Sequence, residues 1–134
     1  MKWQWGGNIS KQLSEENLKE VDIFLKDLKP LLLSNQCEFK KSKKNEDFNR
    51  YYPLTNKEKI DILKSLSAKD CIKIENNTNP MYIDARVFFF IKECNLIVFG
   101  EEEIVKLYIK LYIYKDAVFD NIIVISFHKD GMYE

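Results

Sequence analysis

The stretch "VKLYIKLYIY", residues 105–114, alternates without a break. Val105, Leu107, Ile109, Leu111 and Ile113 fall on one side, and Lys106, Tyr108, Lys110, Tyr112 and Tyr114 on the other. A period of two is that of a β-strand with one face in a core. The opposite face is then a column of tyrosines and lysines. Phenol rings stack on bases and ammonium groups meet phosphates, so such a face suits a single-stranded nucleic acid. An ordinary solvent-facing strand can carry the same residues.

Working outward from this strand, the chain after residue 85 is strongly β. "RVFFFIKE", "NLIVF", "EIVKLYIKLYIY" and "NIIVISFH" are separated by "CN", "GEE" and "KDAVFD", each short enough for a hairpin. Four consecutive antiparallel strands are expected over 85–130. The part before it, 10–73, reads as mostly helical. Ser14 with Glu15 and Glu16 opens a helix, and Leu18, Val21, Leu25, Leu28 and Leu32 give it one apolar stripe. Pro30 should kink or divide that helix. "CEFKK" reads as a short strand and "SKKNEDFNRYYP" as a polar loop. "TNKE" at 55–58 is a capping box opening a second helix, with Ile60, Leu63 and Leu66 buried. "SAKD" at 67–70 suggests a tight turn or short helix, and "ENNTNPMYID" a loop. Residues 1–9, with Trp3, Trp5 and the pair Gly6-Gly7, read as an N-terminal arm that packs back. The expected fold is a single α+β domain over 1–134, its N-terminal helices packed on a mainly antiparallel sheet of about four to six strands.

Composition narrows the function classes. At 134 residues, with 46% apolar and 13% aromatic side chains, the chain suits one packed domain. No apolar run is long enough to span a membrane and the N-terminus lacks a signal-peptide core, so no membrane partner and a cytoplasmic location are expected. Cys37, Cys71 and Cys94 are odd in number and widely spaced, which favours reduced thiols over disulfides or zinc. One histidine, His128, excludes a His-rich metal site. The formal net charge is zero, yet residues 40–59 hold seven basic side chains against three acidic, mostly from "KKSKK". Phosphate-loop, dinucleotide and nucleophile-elbow motifs are absent. Paired-carboxylate catalysis is not indicated, and nothing local activates Cys94 toward His128. No cofactor is expected.

The strand "NIIVISFH" sets Ile123, Ile125 and Phe127 on one face and Ile122, Val124, Ser126 and His128 on the other. A hairpin with 105–114 brings His128 roughly opposite residues 106–108, where it could share a face with Tyr108. One residue of slip reverses every such assignment. An imidazole, a phenol and an ammonium on one rigid sheet form a proton-exchanging, charge-stabilising set. Each of these residue types is equally at home as an exposed or hydrogen-bonded strand residue.

Three segments, "LSAKDCIK" (66–73), "LYIKLYI" (107–113) and "VISFHKD" (124–130), together resemble the MqsR family of toxin–antitoxin toxins, within the RelE-like group of small endoribonucleases. The likeness runs over roughly residues 18–130. It implies a RelE-like fold and metal-independent cleavage of messenger RNA. In that reaction the ribose 2′-hydroxyl attacks the adjacent phosphorus, and a cognate antitoxin protein holds the activity in check. Carried over by motif, Lys73 matches the basic residue of a D-x-x-K element, Tyr108 the tyrosine of a Y-x-K strand, and His128 the residue after Ser-Phe. These three would be catalytic. Lys106, Lys110 and Tyr112 would line the RNA groove, and Arg86 would stand where family members carry tryptophan or glutamine. The contrasting expectation is a non-catalytic protein-interaction module on the same scaffold, such as a phage or mobile-element protein.

Overall fold

The structure, a computed structural model, describes residues 13–131; the expected N-terminal arm lies outside the described residues. Helix α1 (Glu15–Leu33) begins where the Ser14 hydroxyl accepts the Asn17 N–H at 3.1 Å. It buries Val21, Phe24, Leu25, Leu28 and Leu32, and the Phe24 ring stacks on Phe88 with centroids 3.9 Å apart. Pro30 does not divide it: the helix runs unbroken to Leu33. Pro30 sits in the last turn, so its missing N–H removes a bond only where the helix is about to end.

Strand β1 (Cys37–Phe39) follows, as expected. The stretch read as a polar loop is instead helix α2 (Lys43–Tyr51), capped by the Ser42 hydroxyl accepting the Asn45 N–H. It lacks an apolar stripe because its inward face is Asn45, Asp47 and Phe48, of which only Phe48 is hydrophobic. Helix α3 (Asn56–Lys64) has the expected capping box, Thr55 and Glu58 each satisfying the other's backbone N–H. A short 3₁₀ turn, Ala68–Asp70, leads into β2 (Cys71–Glu75), and a second one, Pro80–Tyr82, interrupts the loop before β3.

Strands β3 (Val87–Val98), β4 (Glu101–Lys115) and β5 (Asp120–Lys129) complete the sheet. Three long strands therefore stand where four were expected. Cys94-Asn95 is not a turn; it pairs in the ladder with Val105 and Ile104. The turn is Phe99-Gly100, both with positive φ (52° and 81°), the left-handed pair that a two-residue hairpin needs. The sheet order is β1-β5-β4-β3-β2, with β1 parallel to β5 and the other pairs antiparallel. Two of the five strands thus come from the part read as mostly helical.

All three helices contribute to a core on one face, against Leu107, Ile109, Leu111 and Ile113 of β4 and Ile122, Val124 and Phe127 of β5. The opposite face holds a smaller cluster, Val87, Phe89, Tyr112 and Ile123, partly roofed by Tyr82 and Ala85. Lys59 of α3 is buried with its ammonium over the Phe39 and Phe127 rings, and burial lowers its pKa.

The three cysteines are free thiols, and burial pushes Cys37 up to about 12 and Cys71 up to about 11. An unfolded thiol ionises near pH ~8.5, so folding favours the protonated form. That stability is fully present below the unfolded pKa and is lost as pH rises through the folded values. The urea midpoint should therefore fall between about pH 9 and 11, and the Cys37→Ala/Cys71→Ala double variant should show a shallower dependence. Identical pH dependence in parent and variant would show that the thiols are not the cause.

Candidate functional site

The position of His128 is decided by a break in β5. Lys110 pairs with Ser126 and Leu111 with Val124, so Ile125 is an extra residue on β5, a β-bulge. Strict alternation would have set His128 on the face of Ile122 and Val124, which is the helix-covered core. The bulge shifts the phase: Ile122, Val124 and Phe127 face the helices, while Ile123, Ile125 and His128 face the other way. The sequence-based assignment of faces along this strand holds up to Ile125 and reverses after it.

A single side chain holds the bulge. Asn45, 6% exposed, donates from Nδ2 to the Ile125 and Lys40 carbonyls at 2.9 Å each. Its Oδ1 accepts the Phe127 N–H at 3.0 Å. Backbone groups that the bulge takes out of the ladder are thereby satisfied from α2.

Downstream of the bulge, Tyr108 and His128 are direct cross-strand partners with ring centroids 5.3 Å apart. The expected sharing of one face is observed. His128 is buried, and its Nδ1 lies 3.1 Å from the Lys129 carbonyl oxygen. A carbonyl only accepts, so Nδ1 carries the proton, and Nε2 makes no hydrogen bond among the described residues. Tyr108 is half-buried; burial raises its pKa and the nearby Lys73 charge opposes this, so the phenol stays a proton donor through neutral pH. Next to this pair, Lys73 and Lys110 both stand over the Phe89 ring, at 4.5 and 5.1 Å from its centroid. Lys73, Tyr108, Lys110 and His128 thus meet on one face, drawn from three strands.

The remaining sequence-predicted residues are placed differently. Lys106 is exposed on β4, opposite Glu93, and extends the same face. Tyr112 is on that face too, but it is buried beneath Tyr82, with ring centroids 5.4 Å apart. It is part of the small core and offers no free ring. Arg86 is turned toward α1, where its guanidinium forks onto Glu20 (2.9 and 3.1 Å) and reaches Asn76. Cys94 packs against the helix-side core, away from His128.

Five residues of the face were not singled out in the sequence. Phe89 supplies the ring under the two ammonium groups, and Ser126 stands opposite Lys110. Glu75 pairs with Lys73 at 3.2 Å, and Lys40 pairs with Glu38 at 2.8 Å. Phe89 is an apolar residue within "FFF", and only the register identifies which of the three faces outward. Glu75 was legible as Lys73's neighbour at i+2, the spacing that shares a strand face.

This arrangement can exchange a proton at Nε2, donate a hydrogen bond from a phenol and place positive charge beside both. The cavity of about 560 Å³ between α1 and the Pro80–Tyr82 turn lies elsewhere and is lined by none of the four converging residues. Among the described residues no group of three His, Cys, Asp or Glu side chains is placed to hold a metal ion, and no helix is long and apolar enough to cross a membrane. No family model matches the chain, and no curated protein or solved structure matches it.

Asn45→Ala should cost about 1–3 kcal/mol by orphaning buried backbone groups. It should also weaken the nuclear Overhauser contacts between the Tyr108 and His128 rings in the part of the protein that stays folded. Preserved ring contacts would separate the bulge from Asn45.

Proposed function

We propose that this chain is a metal-independent endoribonuclease of the toxin type, working on the face that carries Lys73, Tyr108, Lys110 and His128. The observation that carries the reading is their convergence. Residues from positions 73, 108, 110 and 128 meet through the register of three different strands. These are the residues to which the MqsR-like and RelE-like resemblance points for catalysis, joined by one residue of its RNA groove. The sheet is of the α+β kind that such a resemblance implies.

On this reading His128 Nε2 takes the proton of a ribose 2′-hydroxyl as its oxygen attacks the adjacent phosphorus. The bond from phosphorus to the 5′ oxygen breaks, and that oxygen takes its proton from water. A 2′,3′-cyclic phosphate and a 5′-hydroxyl result. Tyr108 donates a hydrogen bond to a phosphate oxygen, and the Lys73 and Lys110 ammonium groups stabilise the charge of the phosphorane-like transition state. The cognate antitoxin would act by covering this face. Local acids temper the field: Glu75 pairs with Lys73, whereas Lys110 has no ion-pair partner among the described residues.

A second reading, a protein-docking module without catalysis, is favoured by the β3–β4 hairpin. Among the described residues its strands pair only with each other beyond the reach of β2 and β5, and Ile97, Phe99 and Ile104 are exposed near its tip. Phe99 stands in a left-handed backbone conformation, unusual for a bulky side chain, while 82% exposed.

Incubation with a long RNA in EDTA, with and without translating ribosomes, separates the two. The parent should leave 2′,3′-cyclic phosphate ends, and His128→Ala should be slower by about 10²–10⁴-fold, the usual share of a general base. Lys73→Ala and Lys110→Ala should be slower by smaller factors. Intact RNA in all lanes, with no growth arrest on expression, would overturn the nuclease reading in favour of docking.

A further inference from the structure

Ser126 stands where the bulge, the lysine platform and the imidazole meet, and the chemistry above gives it no task. It is the direct cross-strand partner of Lys110, whose ammonium lies over Phe89 on the open face, and directly opposed residues share a face. It is also two residues before His128 on β5, past the extra residue, and alternate residues of a strand share a face too. Its side chain therefore lies on the same side as the imidazole and the cation. It is half-buried, and its hydroxyl makes no hydrogen bond among the described residues.

The backbone around it is fixed from outside the ladder. The Ile125 carbonyl belongs to the peptide plane before Ser126 and the Phe127 N–H to the plane after it. The Asn45 carboxamide holds both, at 2.9 and 3.0 Å. A hydroxyl presented from two pinned planes and left without a partner is preorganised for a ligand. The charges of the row point to the same end. Glu75 holds Lys73 at 3.2 Å, whereas Lys110 has no ion pair among the described residues. The uncommitted donors are thus Lys110 and Ser126, next to His128.

We infer that the Ser126 hydroxyl donates a hydrogen bond to a non-bridging oxygen of the scissile phosphate, the one whose charge Lys110 offsets. It thereby seats the neighbouring 2′-hydroxyl against His128 Nε2. This inference rests on the nuclease reading and adds a residue to it. Side chains directly opposite stand about 5 Å apart and those two along a strand about 7 Å, so one phosphodiester can touch all three. The ligand group is a phosphate rather than a base edge, so the contact carries no sequence information.

Ser126→Ala, Ser126→Val and Ser126→Thr, assayed with the parent on a long RNA in EDTA, test this. The Ala variant should lose about tenfold in kcat/KM, the usual weight of a hydrogen bond to a charged group. Its cleavage sites and thermal midpoint should be unchanged. Thr and Val match in shape and differ in the hydroxyl, so Ser126→Thr should exceed Ser126→Val by a similar factor. Sulfur in place of a non-bridging oxygen, a weaker acceptor, should slow the parent for one diastereomer and the Ala variant less. An Ala variant as fast as the parent, Thr no faster than Val, or equal sulfur effects in parent and Ala would each overturn the inference and leave the nuclease reading standing. A parent that leaves every RNA intact would remove both together.

Discussion

The carboxamide of Asn45 decides which residues share a face at the functional end of this sheet. Its three hydrogen bonds tie α2 to the two β5 residues that flank Ser126 and to the chain leaving β1. Holding one extra residue in β5 costs ladder bonds, and a buried amide that can both donate and accept repays them. Without that exchange, alternation would carry His128 into the helix-side core and turn Phe127 outward. With it, Phe127 completes the core beside Phe39 and Phe48, and His128 meets Tyr108. Packing and chemistry therefore rest on the same clamp.

The chemistry of the face comes from its arrangement more than from its net charge. Lys73 and Lys110 share one aromatic platform, which gives two strongly hydrated cations a preferred position over a buried ring. Elsewhere on the sheet, residues of the same types serve structure. Tyr112 is packed beneath Tyr82, and Arg86 joins α1 to the loop before β3 through Glu20 and Asn76. One column of tyrosines thus divides into an end beside His128 and an end sealed by the Pro80–Tyr82 turn.

How much of this was legible follows the same division. The alternation of β4 could be read directly because no bulge interrupts that strand, and every one of its faces is as the letters suggest. Capping residues announced α1 and α3, since their partners lie within three positions. The phase of β5 could not be read, because the group that resets it lies 80 residues away. Helix α2 was concealed by the same residue: with Asn45 and Asp47 facing inward, its buried side looks polar. Cys94-Asn95 resembled a turn, but the ladder through it continues because Phe99-Gly100 supplies the left-handed pair instead. The pairing of Tyr108 with His128 was anticipated from hairpin geometry, whereas the fates of Tyr112 and Arg86 depended on a loop whose path no local pattern encodes.

The parallel pairing of β1 with β5 bears on how the molecule is assembled. Cys37 lies against Ile122, so this contact closes a long loop, and the Asn45 bonds close loops of similar length. Contacts so distant in sequence are slow to form, because chain entropy is lost before they return any energy. The β3–β4 hairpin and the capped helices are local and can precede them. The parallel edge strand and the Asn45 clamp on the bulge are thus the contacts of this sheet that close the longest loops, and contact distance alone predicts that they form after the hairpins.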